Sequence, residues 1–163
     1  MTFLSICGIK ITMSKSIQKI TALDLAKYLV RLNEKNEDFG EVLTNLKIQK
    51  LAYYIQGFHL AYFDEPLFDD PIVAWQYGPV VVSLYDSLKK FGNNAVIFTD
   101  DSVVKMNKKQ RDLIDAIFNQ IGQYSAWKLV EMTHSEDPWK SVNLQEEITK
   151  ESLSAFFKTK LVK

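Results

Sequence analysis

The sequence predicts a mainly α-helical fold, a single compact domain of about six helices with a small two-stranded β-ribbon. The chain has 163 residues, of which 47% are hydrophobic, with only six glycines and four prolines. That length can bury a core without help from a disulfide or a metal. Several capped segments repeat apolar residues at helical spacing, and only two short runs are rich in β-branched or aromatic residues.

We divide the chain into an N-terminal extension, residues 1–20, and one domain, residues 21–163. Residues 1–12 are apolar, but no positive charge precedes them and no small-residue cleavage site follows, so we do not expect a signal peptide. Met13 offers a second start, and we expect the residues before it to be poorly ordered. The single Cys7 excludes an intrachain disulfide and cysteine-rich zinc sites, which is typical of the cytoplasm.

Two helices are predicted in the first half of the domain. Thr21 can cap the first, with Asp24 completing a capping box. Thr44 can cap the second, which should run to Tyr62 before Asp64-Glu65-Pro66 ends it. The second helix is apolar on nearly every side, so we expect it to be central. Its most deeply buried residues should be Leu51, Ile55 and Phe58.

The second half is predicted to contain the ribbon and the remaining helices. Strands are expected at residues 72–77 and 95–98, which could pair with each other. Pro79 can open a third helix, residues 80–91. Three further helices are predicted by their caps: residues 108–121 after Asn107, residues 126–132 after Ser125, and residues 150–157 after Thr149.

The charges argue against nucleic acid or a membrane as partner. Lysine plus arginine equals aspartate plus glutamate at 20 each, so no overall field attracts a polyanion. The third and fifth helices offer only Lys89, Lys90 and Lys128 as cations, too few for a recognition helix. Lys47 and Lys50 are the only charges on the central helix, and we expect each to meet solvent or a carboxylate from the acidic middle third of the chain.

The sequence offers little material for catalysis. Motifs for a nucleophile elbow, a phosphate loop, a dinucleotide fold or a zinc protease are absent. Of the two histidines, His59 should be a buried, hydrogen-bonded imidazole, in a polar cluster that could include Gln56 and Tyr77. His134, Glu136 and Asp137 could offer metal ligands, but three neighbouring residues in one loop rarely fit one ion. We therefore expect no catalytic residue, metal or cofactor.

Three runs of sequence resemble the Panacea domain, a family that includes SocA-like antitoxins and GepA-type phage-associated proteins. They are LKIQKLAYYIQGFHL at residues 46–60, with PLF at 66–68; AWQYGPVV at 74–81; and LVEMTHSEDPWK at 129–140. The resemblance extends over about residues 21–157. The residues that carry the family pattern are Lys47, Gln56, His59, Trp75, Tyr77, Gly78, Pro79, His134, Pro138 and Trp139.

The resemblance implies an antitoxin that neutralises a cognate protein toxin, encoded by a neighbouring gene, by binding it directly. In one branch of the family the antitoxin also hands its toxin to a ClpXP-type protease. Two other functions stay open: a regulator associated with a phage or mobile element, and an enzyme that uses His59 or His134. Co-expression with the product of the neighbouring gene would separate them.

We predict the partner-binding surface at Val80, Val81, Val82 and Tyr85. Three consecutive valines on a helix cannot all face one core, because successive residues are 100° apart. At least one should therefore point outward. The acidic stretch 64–70 lies nearby in sequence and would give this apolar patch a negative rim, which suits a basic toxin.

Overall fold

Most of the fold packs around one buried helix. The computed structural model describes residues 17–36 and 40–161, so the predictions for residues 1–12 and Cys7 lie outside it. In chain order the elements are α1 (Ala22–Glu34), α2 (Asn45–Phe63), β1 (Ile72–Trp75), β2 (Gly78–Val81), α3 (Val82–Leu88), a 3₁₀ turn (Lys89–Phe91), α4 (Lys108–Ile121), α5 (Ala126–His134), α6 (Asp137–Lys140), β3 (Glu147–Ile148) and α7 (Lys150–Lys158). The mainly helical, single-domain fold is confirmed.

Helix α2 is the centre of the core, as predicted. Its N-cap Thr44 accepts a hydrogen bond from the backbone N–H of Lys47, and Asp64 ends it in a left-handed conformation with φ 56°. Every residue from 47 to 61 is buried. Leu51 and Ile55 are fully inaccessible and Phe58 is 2% exposed, which confirms the predicted core positions.

A glycine lets helix α7 approach α2 closely. A Cβ atom at Gly57 would lie 2.2 Å from the ring of Phe157, which fills the space where that side chain would stand. The Phe157 ring meets Tyr53, Tyr54 and Phe58 of α2 edge to face, with ring centroids 4.9–5.9 Å apart. Such pairs contribute beyond the area they bury, so this aromatic cluster joins the last helix to the central one.

The β-ribbon exists, but with a different partner strand. β1 pairs antiparallel with β2 through a two-residue turn, Gln76–Tyr77, and with β3 on its other side. The expected strand at 95–98 is wrong: this segment is irregular, although Val96 donates to the carbonyl of Leu43. Gly78 explains why β2 follows β1 directly. Its φ of +94° costs glycine little, and this conformation lets the chain reverse and pair with β1.

The third helix also begins later than predicted. Pro79, Val80 and Val81 belong to strand β2, and helix α3 starts only at Val82. Pro79 sits opposite Ala74 in the ladder, at a position whose nitrogen faces away from β1, so its missing N–H costs the sheet nothing. The β-branched valines that follow favour extended backbone.

The remaining helices begin at their predicted caps. Capping boxes form at Thr21 with Asp24 and at Asn107 with Gln110, and Ser125 and Thr149 cap α5 and α7. The short helix α6 was not predicted. No helix within residues 17–36 and 40–161 has the length and apolar character that crossing a bilayer requires.

Candidate functional site

Two side chains of α2 satisfy the open edge of strand β2. The ammonium of Lys50 donates to the carbonyl of Pro79 at 2.7 Å, and the backbone N–H of Val81 donates to the Gln49 amide oxygen at 2.9 Å. Along β2, residues whose backbone groups hydrogen-bond to β1 alternate with residues whose groups point away, and residues 79 and 81 are of the second kind. An edge strand normally leaves such groups free. Here the central helix occupies them.

Lys50 is buried with no carboxylate of the described residues in salt-bridge range, contrary to our expectation. Its side chain is fully inaccessible, and burial lowers its pKa to about 7. Lys47 does have an acidic partner, Glu41 at 3.0 Å, but Glu41 lies before the acidic middle third. The difference arises because strand β2, which α2 covers, supplies a carbonyl where we expected a carboxylate.

The other polar residues of α2 are satisfied internally. Gln56 donates to the carbonyl of Phe68 and accepts from the backbone N–H of Leu67, so it fixes the loop after α2. Both ring nitrogens of His59 are engaged, Nδ1 with the carbonyl of Glu65 and Nε2 with Gln110. Burial lowers the pKa of His59 to about 4. The predicted buried imidazole is confirmed, and its position gives no support to catalysis.

The cluster of Gln56 and His59 does not include Tyr77. Tyr77 lies in the turn between β1 and β2, where it is 51% exposed. Its ring packs edge to face against Trp127 of α5, with centroids 5.4 Å apart. The turn of the hairpin therefore places Tyr77 against α5.

The run at 129–140 holds α5 and α6 against α2. The carboxylate of Glu136 accepts hydrogen bonds from the hydroxyls of Tyr53 and Tyr54, both at 2.8 Å. Burial raises the pKa of Glu136, and the two hydroxyls oppose that rise. Glu136 therefore ties the run at 129–140 to the run at 46–60. A buried carboxylate needs such donors, but nothing local to Glu136 in the sequence identifies which hydroxyl groups supply them.

The run at 129–140 also contacts the hairpin. Trp139 donates its indole N–H to the carbonyl of Trp75 at 3.0 Å, and His134 stacks on the Trp139 ring with centroids 4.1 Å apart. Pro138 is buried within α6. Within the described ranges, no three His, Cys, Asp or Glu side chains are grouped as a metal site requires. His134 and Glu136 instead serve packing and hydrogen bonding.

A groove of about 470 Å³ opens beside the hairpin. Its aromatic lining comes from Trp75, Tyr77 and Tyr85, and the ring of Trp75 meets that of Tyr85 edge to face at 4.9 Å. The rest of the lining consists of amides, small or aliphatic residues and one cation: Asn45, Leu46, Gln49, Gln76, Val80, Lys89, Gly92, Asn93 and Gln145. The volume lies within the usual range for ligand sites.

Exposed apolar side chains adjoin this groove. Trp127, 61% exposed, packs on Tyr77 of the lining, and Leu144, 54% exposed, precedes Gln145. Sequence reasoning missed Trp127. Its position two residues before Leu129 puts it about 200° away on α5, and Leu129 is buried. That spacing could have identified an outward aromatic residue.

The predicted valine patch takes a different form. Val81 is fully buried and Val80 is 5% exposed, because both lie in β2 and not on a helix. Val80 and Tyr85 line the groove, whereas Val82 is half-buried outside it. The expected acidic rim is absent from the part of the lining that the structure describes. Asp64 and Asp69 pair with Lys158 and Lys19.

Comparison with known proteins gives one match. A family model described as antitoxin SocA-like, Panacea domain, matches residues 48–140, which is more than half of the chain. No curated protein and no solved structure matches significantly. The matched residues include most of α2, the whole hairpin and the Glu136 contact to the tyrosines. The chain therefore belongs to the family of SocA-like antitoxins that share the Panacea domain.

Proposed function

We propose that this protein is an antitoxin that neutralises a cognate toxin by binding it directly, with the hairpin turn and the adjoining groove as the contact surface. The observation that supports this surface is the Tyr77–Trp127 pair, two large aromatic side chains that are 51% and 61% exposed and packed against each other. Side chains this exposed contribute little to the hydrophobic core. Family membership supports a protein toxin as the partner that would cover them.

The pair has the properties of an interface anchor. Tyrosine and tryptophan are enriched among the few residues that carry most of the binding energy in protein complexes. Because each ring already restrains the other, binding would immobilise few additional rotamers. Val80 and Tyr85 of the predicted patch stay in the proposal as groove lining, and Val82 as a neighbour of the groove.

The test is co-expression with the product of the neighbouring gene, after expression of that product alone has established whether it is toxic. Tyr77→Ala and Trp127→Ala should each weaken toxin binding by about 2 kcal/mol, roughly thirtyfold, and reduce neutralisation. Val103→Ala is the matched control, because Val103 is 83% exposed and does not line the groove. If both aromatic variants remain folded and neutralise fully, the proposed surface is wrong.

The family resemblance also supports a role for a ClpXP-type protease in the cytoplasm. An adaptor would bind toxin at the same surface and deliver it for degradation, whereas an occluding antitoxin would leave the toxin intact. The half-life of the toxin, measured in cells with and without the protease, distinguishes the two. We expect a short half-life that depends on both the protease and Trp127 if the chain acts as an adaptor.

A further inference from the structure

We infer that the groove takes an extended, uncharged peptide segment containing proline, supplied by the protein partner. This inference deepens the proposed function and rests on it for the source of the peptide. Four features of the groove determine the kind of occupant: its aromatic lining, the charge of that lining, the occupied edge of β2 and the side-chain amides that have no partner among the described residues.

The charges favour a neutral occupant. Among the residues that the structure describes, the lining contains no aspartate or glutamate, and its single cation, Lys89, forms an ion pair with Asp86 at 2.9 Å. A charged side chain entering the groove would therefore meet no free counterion among the described lining residues. An acidic or basic segment is therefore disfavoured.

The hairpin excludes one common mode of peptide recognition on this side. A peptide that adds a strand to a sheet needs free backbone groups at the edge. On β2 the carbonyl of Pro79 is held by Lys50 and the N–H of Val81 by Gln49. The occupant must therefore be bound by side chains and cannot extend the sheet at β2.

The groove offers side chains suited to that task. The side-chain amides of Gln76, Asn93 and Gln145 line it and make no hydrogen bond to other described residues. An amide can both donate to a peptide carbonyl and accept from a peptide N–H. The aromatic rings of Trp75, Tyr77 and Tyr85 provide flat apolar surfaces of the kind against which proline-rich segments dock. A polyproline II segment has no internal hydrogen bonds and presents its carbonyls outward.

The test selects peptides from a random phage-displayed library on the full chain. We expect enriched sequences that are uncharged and contain proline, and the synthetic consensus peptide should bind about tenfold more weakly to Gln76→Ala/Asn93→Ala, which removes two amide contacts. Gln123→Ala is the control, an exposed glutamine outside the lining. Thermal melting establishes that each variant is folded.

The inference is overturned by no enrichment, by a charged consensus, or by a consensus peptide that binds the amide variant as tightly as the parent. Binding of sugars from a glycan array that depends on Gln76 and Asn93 would also overturn it. Competition separates this inference from the proposed function. If the toxin is neutralised through Tyr77 and Trp127 but the consensus peptide does not displace it, the groove inference fails and the antitoxin proposal stands.

Discussion

Lys50 is a lysine whose folded environment favours loss of its charge. Its pKa is lowered to about 7 by burial, against about 10.4 in an unfolded chain. Between these values the unfolded chain binds more protons, so the free energy of unfolding should rise with pH, by up to about 1.4 kcal/mol per pH unit. Below pH 7 the ammonium is charged in both states and this dependence ends.

The measurement is urea unfolding at pH 7, 8 and 9 for the parent and for Lys50→Met. Met keeps most of the volume and removes the titrating group, so the rise in stability that Lys50 causes should disappear in the variant. All other side chains are common to both proteins, so their contributions cancel in the comparison. Parallel stability curves for the two proteins would show that Lys50 keeps an ordinary pKa.

Gly57 is required by a contact and not by its backbone conformation. Gly57→Ala would place a methyl group 2.2 Å from the Phe157 ring. Although alanine favours a helix by about 1 kcal/mol, overpacking typically costs about 1–3 kcal/mol. We expect a net loss of stability in chemical denaturation, since the ring is enclosed by other aromatic side chains.

A second substitution tests the cause. Phe157→Ala alone should destabilise the fold by leaving a cavity, but Gly57→Ala should then cost little or nothing when added to it, because the clash is gone. Additive effects of the two substitutions would mean that Gly57 matters for a reason other than Phe157.

Residue burial was predictable where the pattern was periodic and local. Leu51, Ile55 and Phe58 followed from the apolar character of α2 on all sides. The partners of Lys50 and Glu136 were not predictable, because they lie 29 and more than 80 positions away in the sequence. Nothing local to a lysine distinguishes a carbonyl partner from a carboxylate.

At the scale of elements, caps were the reliable signal. A cap satisfies the first free N–H groups of its own helix, so Thr21, Thr44 and Asn107 identified helix starts without knowledge of the tertiary fold. Strand pairing needed more than local sequence. The segment at 95–98 has strand-like composition and was expected to pair with β1. In the structure β2 and β3 occupy the two edges of β1, so β1 has no free edge for this segment.

The edge of β2 carries an element-level prediction. Gln49→Leu removes the acceptor of the Val81 N–H and puts an apolar side chain of similar size in its place. The buried N–H would then lack a partner, at a cost of about 1–3 kcal/mol. We expect amide exchange to accelerate at Val81 and along the hairpin, measured residue by residue by NMR.

Two controls distinguish local loosening of the hairpin from other effects of the substitution. Gln123→Leu, on an exposed site, should leave hairpin exchange unchanged. Amides of α4 should also retain their protection in Gln49→Leu, since α4 is not part of the sheet. Uniform acceleration across the whole protein would indicate global destabilisation and not loosening of the hairpin.

For the whole molecule, the central position of α2 makes its core substitutions global in effect. Ile55 is fully inaccessible, and Ile55→Ala should lower the free energy of unfolding by about 2–5 kcal/mol through lost burial and a cavity. Thermal and urea unfolding should both register the change, in a single transition. An unchanged melting curve would contradict the core described here.

The closure of α7 over Gly57 also has a consequence for synthesis. The ribosome makes α2 long before α7, so a nascent chain that has just folded its hairpin still presents Tyr53, Tyr54 and Phe58 without their Phe157 cover. Exposed aromatic surface on incomplete chains is what chaperones recognise and what drives aggregation. The aromatic cluster is therefore completed only after α7 leaves the ribosome. A chain truncated before residue 150 would leave this aromatic surface of α2 exposed and prone to aggregation.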